Sequence, residues 1–423
     1  MKFKKILTLL TFFSFSALSF AGDYIVGQYR NVRSMGMGGT NVTTALDEAA
    51  LIYNPALLKI LKKHKLLIPG FADFANSNSK DLYNDFNDFL DDLDKVNGPQ
   101  NTLYLLQAYI DGTTLSTVDI NGDGIVNDSD IVNANKRKIP NEYLQMQMST
   151  FAGFITEGFG FGVFGTFRSN QIGLTGNKVN PSVKVNADGT LEIPVGLAFK
   201  IFDKINLGAS VRYIQSAKVK KELYYTDISD LTQDGLSTEG ELSILGAEKA
   251  QGIGVNLGAV VELNKLNIGI GLQDPFTKLQ TSKYVLKNGS TTEYEEQDLE
   301  KKSLPTILSV GISNKPYNDE GKKNKLFWAV EMQNLLSKDL NDDGHDDTNL
   351  YKKLHLGAEY TVFESRLFDL SLRGGLNQGY PTLGTSISLA FLEVEYAYFT
   401  EELGSHLGMN KNEVHSLALN ARF

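Results

Sequence analysis

The chain has 423 residues, no cysteine and a formal net charge of −9. The missing thiols exclude disulfides, thiolate metal sites and a cysteine nucleophile, and the negative charge argues against nucleic-acid binding. With 39 glycines, 18 tyrosines and 24 phenylalanines against one tryptophan, the composition favours a β-rich fold.

The N-terminus has the features of an export signal. A lysine-bearing start is followed by an apolar stretch from Ile6 to about Leu18 and a small-residue exit at Ala21. This pattern predicts a cleavable secretory signal at residues 1–21. No later run reaches the roughly 18 apolar residues of a spanning helix, so the mature chain is expected to be soluble, released or a closed β-barrel.

A glycine-rich motif follows the signal. Residues 30–60, RNVRSMGMGGTNVTTALDEAALIYNPALLKI, resemble the N-terminal segment of the FadL-like outer-membrane proteins. The resemblance implies a plug over residues 22–62, inside a barrel that takes up hydrophobic small molecules. The residues that match the motif are Arg33, Ser34, Gly36, Met37, Gly38, Gly39, Asp47, Ala49, Ala50, Tyr53, Asn54, Pro55, Ala56 and Leu58.

A segment at 76–142 interrupts the strand pattern and is predicted to be a long loop insertion. Within it, Asp81–Lys95 places apolar residues on one helical face and aspartates on the other. An acidic helix after the glycine motif resembles the TraF-type plasmid-transfer proteins. That second resemblance implies a structural or secretion-associated envelope barrel, with other envelope proteins as partners and no transport activity.

The same insertion carries an aspartate-rich loop. Residues 119–130 supply oxygens with the spacing of an EF-hand and a glycine at the sixth position for the sharp turn. An aspartate in the last position makes the loop similar to a single dockerin-type repeat. We expect calcium to order this loop, with ligands from Asp119, Asn121, Asp123, Ile125, Asn127 and Asp130.

A second loop has a shorter version of this spacing. It is similar to a thrombospondin-type-3 or truncated calcium loop and has leucine where the last ligand would stand. The candidate ligands are Asp339, Asn341, Asp343 and Asp347.

Most of the chain alternates with a period of two. From Gln145 onward, segments of about ten residues place apolar side chains on one face and polar side chains or glycine on the other, the length a tilted strand needs to cross a bilayer. With a further strand near 66–74, this predicts an all-β fold: a transmembrane antiparallel barrel of about 14 strands over residues 63–423. A soluble β-sandwich shows the same alternation, so a secreted calcium-binding β-protein stays an alternative.

The last strand ends on an aromatic residue, Phe423, and resembles the signal read by the barrel-assembly machinery. The hypothesis is therefore an outer-membrane protein of a diderm bacterium, in contact with membrane lipid. Enzyme motifs are absent, and the five histidines are scattered, so no catalysis is expected. Glu393 and Glu395 share the polar face and are expected in a solvated lumen.

Overall fold

The computed structural model describes residues 29–62, 65–68, 71–75, 87–111, 113–127, 131–133, 144–177, 179–231, 237–288, 290, 293–317, 323–336, 350–365, 367–402 and 411–422. The signal predicted at 1–21, the first part of the predicted plug at 22–28 and the aspartate-rich loop at 339–347 lie outside these ranges. So does Asp130.

Twenty strands are present among the described residues, and eighteen of them join one antiparallel sheet. The strands are β1 (Lys65–Ile68), β2 (Phe71–Ala75), β3 (Thr114–Leu115), β4 (Val132–Asn133), β5 (Leu144–Thr156), β6 (Phe159–Asn177), β7 (Asn180–Ile201), β8 (Ile205–Tyr224), β9 (Glu248–Glu262), β10 (Leu266–Gln273), β11 (Lys278–Leu286), β12 (Tyr294–Asp298), β13 (Lys302–Ser303), β14 (Ile307–Asn314), β15 (Leu326–Met332), β16 (Leu354–Glu364), β17 (Phe368–Asn377), β18 (Tyr380–Leu389), β19 (Leu392–Glu402) and β20 (Lys411–Arg422).

The pairings of the large sheet run in a ring. Strands β5 to β9 pair in order, β9 pairs with both β10 and β11, β10 pairs with β14, β11 pairs with β12 and β13, and β14 to β20 again pair in order. Strands β1 and β2 each pair with β20 on one side and β5 on the other. Three sets of strands, β1 with β2, β10 with β11, and β12 and β13 with β14, are consecutive parts of one wall strand. Within the described residues the ring therefore has fourteen wall positions, which confirms the predicted barrel class.

The wall is apolar outside and polar inside. Along β8, for example, Val211 and Tyr213 are exposed, whereas Ser210 and Arg212 are buried in the lumen. The same alternation runs around the ring. Its outward side chains include Phe161, Val163, Ile193, Val195, Leu197, Phe199, Ile253, Leu257, Ile268, Ile270, Ile312, Val330, Tyr360, Val362, Leu372, Leu383, Ile387, Leu392, Val394, Leu417 and Leu419.

The segment before the wall lies inside the ring. Its elements are α1 (Val32–Gly36), α2 (Ala50–Tyr53) and a 3-10 helix (Pro55–Ile60), and almost all of its side chains are buried. Asn31 caps α1 by accepting from the Ser34 backbone N–H, and Asn54 caps the 3-10 helix in the same way. We name residues 29–61 the plug.

Four helices cover the outward face of the longest strands. Two belong to the insertion, α3 (87–93) and α4 (Pro99–Asp111), and two lie between β8 and β9, α5 (Tyr225–Leu231) and α6 (Thr238–Ile244). The short α7 (Leu350–Lys353) precedes β16. Helix α3 lies within the predicted acidic helix, whose start, 81–86, is outside the described residues. Helices α3 to α6 and strands β6 to β8 share an apolar core. In it Phe89, Leu105, Tyr109, Ile228 and Leu242 pack against Leu174, Val183, Val185 and Leu223.

In the part of the chain that the structure describes, no helix has both the length and the apolar character needed to span a membrane.

Candidate functional site

The plug fits the wall so closely that several wall positions have no room for a side chain. A Cβ atom built on Gly357 would lie 2.2 Å from the Met37 carbonyl oxygen, and one built on Gly271 would lie 2.4 Å from the Tyr53 carbonyl oxygen. On the plug side, Gly38 has a φ of +68° and lies against the backbone of Leu356. The glycine motif is therefore explained by backbone-to-backbone contact with the wall.

A chain of charges crosses the lumen from the plug to the wall. Arg33 of the plug donates to both carboxylate oxygens of Glu359 on β16, at 2.9 and 3.2 Å. Arg373 on β17 donates to the same carboxylate at 2.7 Å, and its other end lies 2.8 Å from Glu395 on β19. Because this network is buried and its charges alternate in sign, each charge has a compensating neighbour.

The plug turn is held by one carboxylate. Glu331 on β15, 1% exposed, accepts from the backbone N–H groups of Asn41, Val42 and Thr43 at 2.7, 3.0 and 2.8 Å. The Thr43 hydroxyl donates a fourth hydrogen bond at 2.9 Å. Such charge-assisted bonds are about twice as strong as neutral ones, so Glu331 is the strongest single contact to this turn.

The later part of the plug is attached differently. The Leu58 carbonyl accepts from Gly158 in the turn between β5 and β6, at 2.9 Å, and Lys59 donates to Glu157 of the same turn at 2.7 Å. The hydrogen bond from Lys59 lowers the pKa of Glu157. This pair is partly solvated, so it contributes little. Packing of apolar side chains such as Leu51 against the wall supplies most of the attachment.

A cavity of about 300 Å³ lies beside the plug at the end of the barrel with the short turns. Arg33, Leu46 and Asp47 of the plug form one side of it. The turn-proximal ends of the later wall strands form the other side, with Thr361, Ser371, Ser386, Ser388 and Glu393 among the lining residues.

A second ionic cluster stands on the opposite wall. Arg212 of β8 lies 3.0 Å from Glu192 of β7 and is hydrogen-bonded to Asp274, all three being buried. Asp274 begins the short link between β10 and β11 and has a φ of +53°, a strained value for a residue with a side chain. The arginine therefore fixes a kinked wall segment from inside the lumen.

The first aspartate-rich loop is folded around its own carboxylates. Asp119 accepts from the N–H groups of Gly122, Asp123 and Gly124 at 2.7, 3.2 and 2.7 Å, and Gly124, at the sixth position, has a φ of +88°. Among the described residues no group of three or more acidic or histidine side chains is gathered as a metal site would require. The expected ligands Asn121, Ile125 and Asn127 lie in the same exposed loop.

The residues that hold the plug were not identified from sequence. Glu331, Glu359 and Arg373 lie on the polar face of strands whose other face is apolar. Their position in this alternation was the sequence signal that they face the lumen. Glu393 and Glu395 do face the lumen as expected. Glu395 is buried against Arg373, whereas Glu393 lines the cavity beside the plug.

The described residues form an antiparallel β-barrel with the N-terminal segment 29–61 inside the ring. The family model described as F plasmid transfer operon, TraF, protein matches residues 51–313, and the chain belongs to this family. No curated protein matches the chain in sequence.

Solved structures similar to the chain include members of the FadL group. The CymD monoaromatic hydrocarbon channel has 17% identity and a TM-score of 0.44, with 92% of this chain and 97% of that one covered. A Pseudomonas aeruginosa FadL homologue has 11% identity and a TM-score of 0.42, covering 96% and 99%. A TodX monoaromatic hydrocarbon channel mutant has 14% identity and a TM-score of 0.42, covering 93% and 97%. Both families named from the sequence therefore recur among the matches.

Proposed function

We propose that the chain is an outer-membrane barrel that carries hydrophobic small molecules past its plug. Membrane insertion is supported by the outward face of the wall. Among the described residues this face is apolar around the ring, and outside the region covered by helices its side chains are exposed. Exposed apolar surface on this scale is unfavourable in water and favourable against lipid.

The only tryptophan, Trp328, provides the test of membrane insertion. It stands on the outward face of β15, between the exposed residues Leu326 and Val330. In vesicles of brominated phosphocholine, lipid bromine should quench its fluorescence strongly, and a soluble quencher should not. The opposite pattern would favour the soluble secreted β-protein.

Transport is supported by the contents of the lumen. The plug is joined to the wall by hydrogen bonds, ion pairs and apolar packing, and the cavity of about 300 Å³ adjoins it. A path through the barrel therefore requires rearrangement of packing, with no covalent bond to break. The proposed cargo is a small apolar solute, the class named for the CymD and TodX channels.

A reversible lock on the plug tests transport directly. A Cβ built on Gly269 of β10 would lie 2.7 Å from Thr43 Cγ2 and 2.9 Å from the Val42 carbonyl oxygen. The double substitution Thr43→Cys and Gly269→Cys therefore places two thiols side by side, and a disulfide between them requires a small shift of the plug backbone at Val42. The chain has no other cysteine to interfere. Vesicles with the protein should take up toluene or another monoaromatic hydrocarbon faster than empty vesicles. Oxidation should abolish this gain in the double variant, and reduction should restore it, with wild type as the matched control.

The second candidate is a closed envelope barrel without transport. The close fit of wall glycines to the plug backbone and the fully paired Arg33 network favour it. Under this alternative, the protein gives no uptake above empty vesicles in either redox state. It would instead copurify from outer-membrane fractions in a stable complex with other envelope proteins.

We further propose that calcium orders the loop at 119–130 and the loop at 339–347, which both fall in long connections between strands. The Asp119 hydrogen bonds and the positive φ of Gly124 support the first site. Isothermal titration with calcium should give heat that Asp119→Ala and Asp339→Ala each reduce. Lys95→Ala, near but outside the loop, is the control. Equal heats in all variants would contradict the proposal.

Export and assembly follow the sequence motifs in this proposal. Signal cleavage after Ala21 predicts a mature N-terminus at Gly22, which mass spectrometry of the intact protein would identify. Recognition by the barrel-assembly machinery predicts that deletion of Phe423 lowers the amount of folded protein in the outer membrane.

A further inference from the structure

The plug has two parts that differ in their contacts with the wall. The first half, residues 29–47, binds charged side chains on β15 and β16 and also packs apolar side chains on β19 and β20. The second half, residues 50–61, packs its apolar side chains into the opposite wall, with Leu51, Leu57 and Leu58 fully buried. Apolar packing is spread over many atoms, whereas the charged contacts are concentrated in a few groups.

One side chain carries the largest share of the first half's attachment. Glu331 binds three consecutive backbone amides and the Thr43 hydroxyl, and the neighbouring Gln333 side chain donates to the Gly39 carbonyl at 2.8 Å. Removing that carboxylate leaves three buried N–H groups without an acceptor, which is unfavourable for the closed position. Within the described contacts of the second half, no single side chain binds so many backbone groups.

The two halves are joined to each other by weaker bonds. The Tyr53 hydroxyl donates to the Tyr29 carbonyl at 2.6 Å, and the Asn54 side chain donates to the Val42 carbonyl at 2.7 Å. Both are bonds between neutral groups, so each stabilises the closed plug less than the Glu331 carboxylate does. Glu48, at the junction, accepts from Tyr29 and Asn31 at 2.7 and 2.9 Å, which ties the start of the first half to the second half. Beyond that start, Glu331 and the Arg33 pair are the charged contacts between the first half and the wall among the described residues.

The cavity next to the first half gives space for a movement of this half. The cavity of about 300 Å³ is bounded by Arg33, Leu46 and Asp47, which all belong to the first half. Leu61, at the end of the second half, and Lys62 after it also line this cavity. A shift of the first half toward the short turns would fill this cavity and open the lumen along β14 to β19.

We propose that the first half of the plug is the moving gate, that the second half is its fixed base, and that Glu331 is the latch between gate and wall. This inference rests on the proposed transport function for its biological meaning. The mechanism itself is a property of the plug and is measured without any cargo.

Amide hydrogen exchange of the full-length protein in lipid nanodiscs tests the latch. In Glu331→Gln, exchange across 33–46 should accelerate at least about tenfold, the effect of losing a set of charged hydrogen bonds. Exchange across 50–58 should stay within about twofold of wild type. The matched control is Glu157→Gln, which removes the ionic contact of the second half and should change neither segment.

The lock designed above gives the rescue. When Glu331→Gln is combined with Thr43→Cys and Gly269→Cys, oxidation should return the exchange across 33–46 toward the wild-type rate. If Glu331→Gln does not assemble, Gln333→Leu is the milder variant, which removes the bond to Gly39 and should accelerate only the first half. Equal acceleration of both halves, or of neither, would overturn the proposal.

The latch and the proposed transport function would be contradicted by different results. Selective exchange without uptake of a hydrocarbon would retain the latch and reject transport. Uptake with both halves exchanging together would retain transport and reject a gate confined to residues 29–47.

Discussion

The outward face of β7 contains two regions that look alike in sequence and differ in environment. Ile193, Val195 and Leu197 are exposed in the half near the short turns, whereas Val183 and Val185 are buried under helices in the other half. The pairing of β7 with β8 continues without a bulge, so all these side chains share one face of the strand. The difference teaches that an apolar outward face can meet lipid at one level and protein at the next.

The covered region has the properties of a small soluble core. Phe89 and Tyr109 pack edge to face with ring centroids 5.1 Å apart, and the Tyr109 hydroxyl donates to Asp92 at 2.7 Å. Directional contacts of this kind are typical of protein packed against protein. The insertion therefore extends the outer wall of the barrel, beyond the level at which the apolar face is exposed.

The largest expected effect comes from a charge placed in the covered region. In Leu105→Asp a carboxylate would enter a fully buried position of this core, which costs about 4 kcal/mol or more. We expect the insertion to unfold and become sensitive to protease while the barrel stays heat-modifiable in gel electrophoresis. Tyr104→Asp, on the exposed side of the same helix, is the control. Loss of the barrel itself would show that the two regions are one folding unit.

A charge in the exposed region should have a smaller but distinct effect. Leu197→Arg places a guanidinium on the outward face and should destabilise the protein by about 2–4 kcal/mol in a bilayer. Urea unfolding in phosphocholine vesicles, followed by Trp328 fluorescence, measures this change. Lys220→Arg, at an exposed position of β8 on the face opposite to the outward one, should be neutral. A neutral result for Leu197→Arg would indicate that this face meets water.

Removal of a single hydroxyl sharpens the comparison within the covered region. Tyr109→Phe leaves the buried Asp92 without this donor and should destabilise the insertion by about 1–3 kcal/mol. Amide exchange across α4 should accelerate while exchange in β16 and β17 is unchanged. Equal acceleration in both places would contradict a separate stability for the insertion.

The smallest expected effect depends on pH. Desolvation in α6 raises the pKa of Glu241, so the folded state favours the protonated carboxyl more than the unfolded state does. The contribution to stability is full below the unfolded pKa and is lost as pH rises through the folded pKa. Glu241→Gln should therefore stabilise the covered region at pH 8, by less than about 0.5 kcal/mol because the side chain stays partly solvated. At pH 3.5 the thermal midpoints of variant and wild type should coincide.

Much of the wall was predictable from the sequence because a strand's side chains alternate between two faces. That periodicity predicted which residues of β8, β10 and β16 point outward, and the number of segments predicted fourteen wall strands. The resemblance of the glycine motif to the FadL-like N-terminal segment implied a segment apart from the wall. Its cause, contact between the plug backbone and wall residues such as Gly357, is a packing property that no local pattern contains.

The sequence by itself determined the two faces of the wall strands, because strand periodicity is a local property of the chain, and a family resemblance of its glycine motif implied a separate N-terminal segment. Only the tertiary structure decided the partners of Arg33 and Glu331, since those contacts join residues about three hundred positions apart. The tertiary structure also decided that Val185 is covered while Val195 is exposed. Alternation fixes the face on which a side chain lies, and the neighbouring segments decide what that face meets.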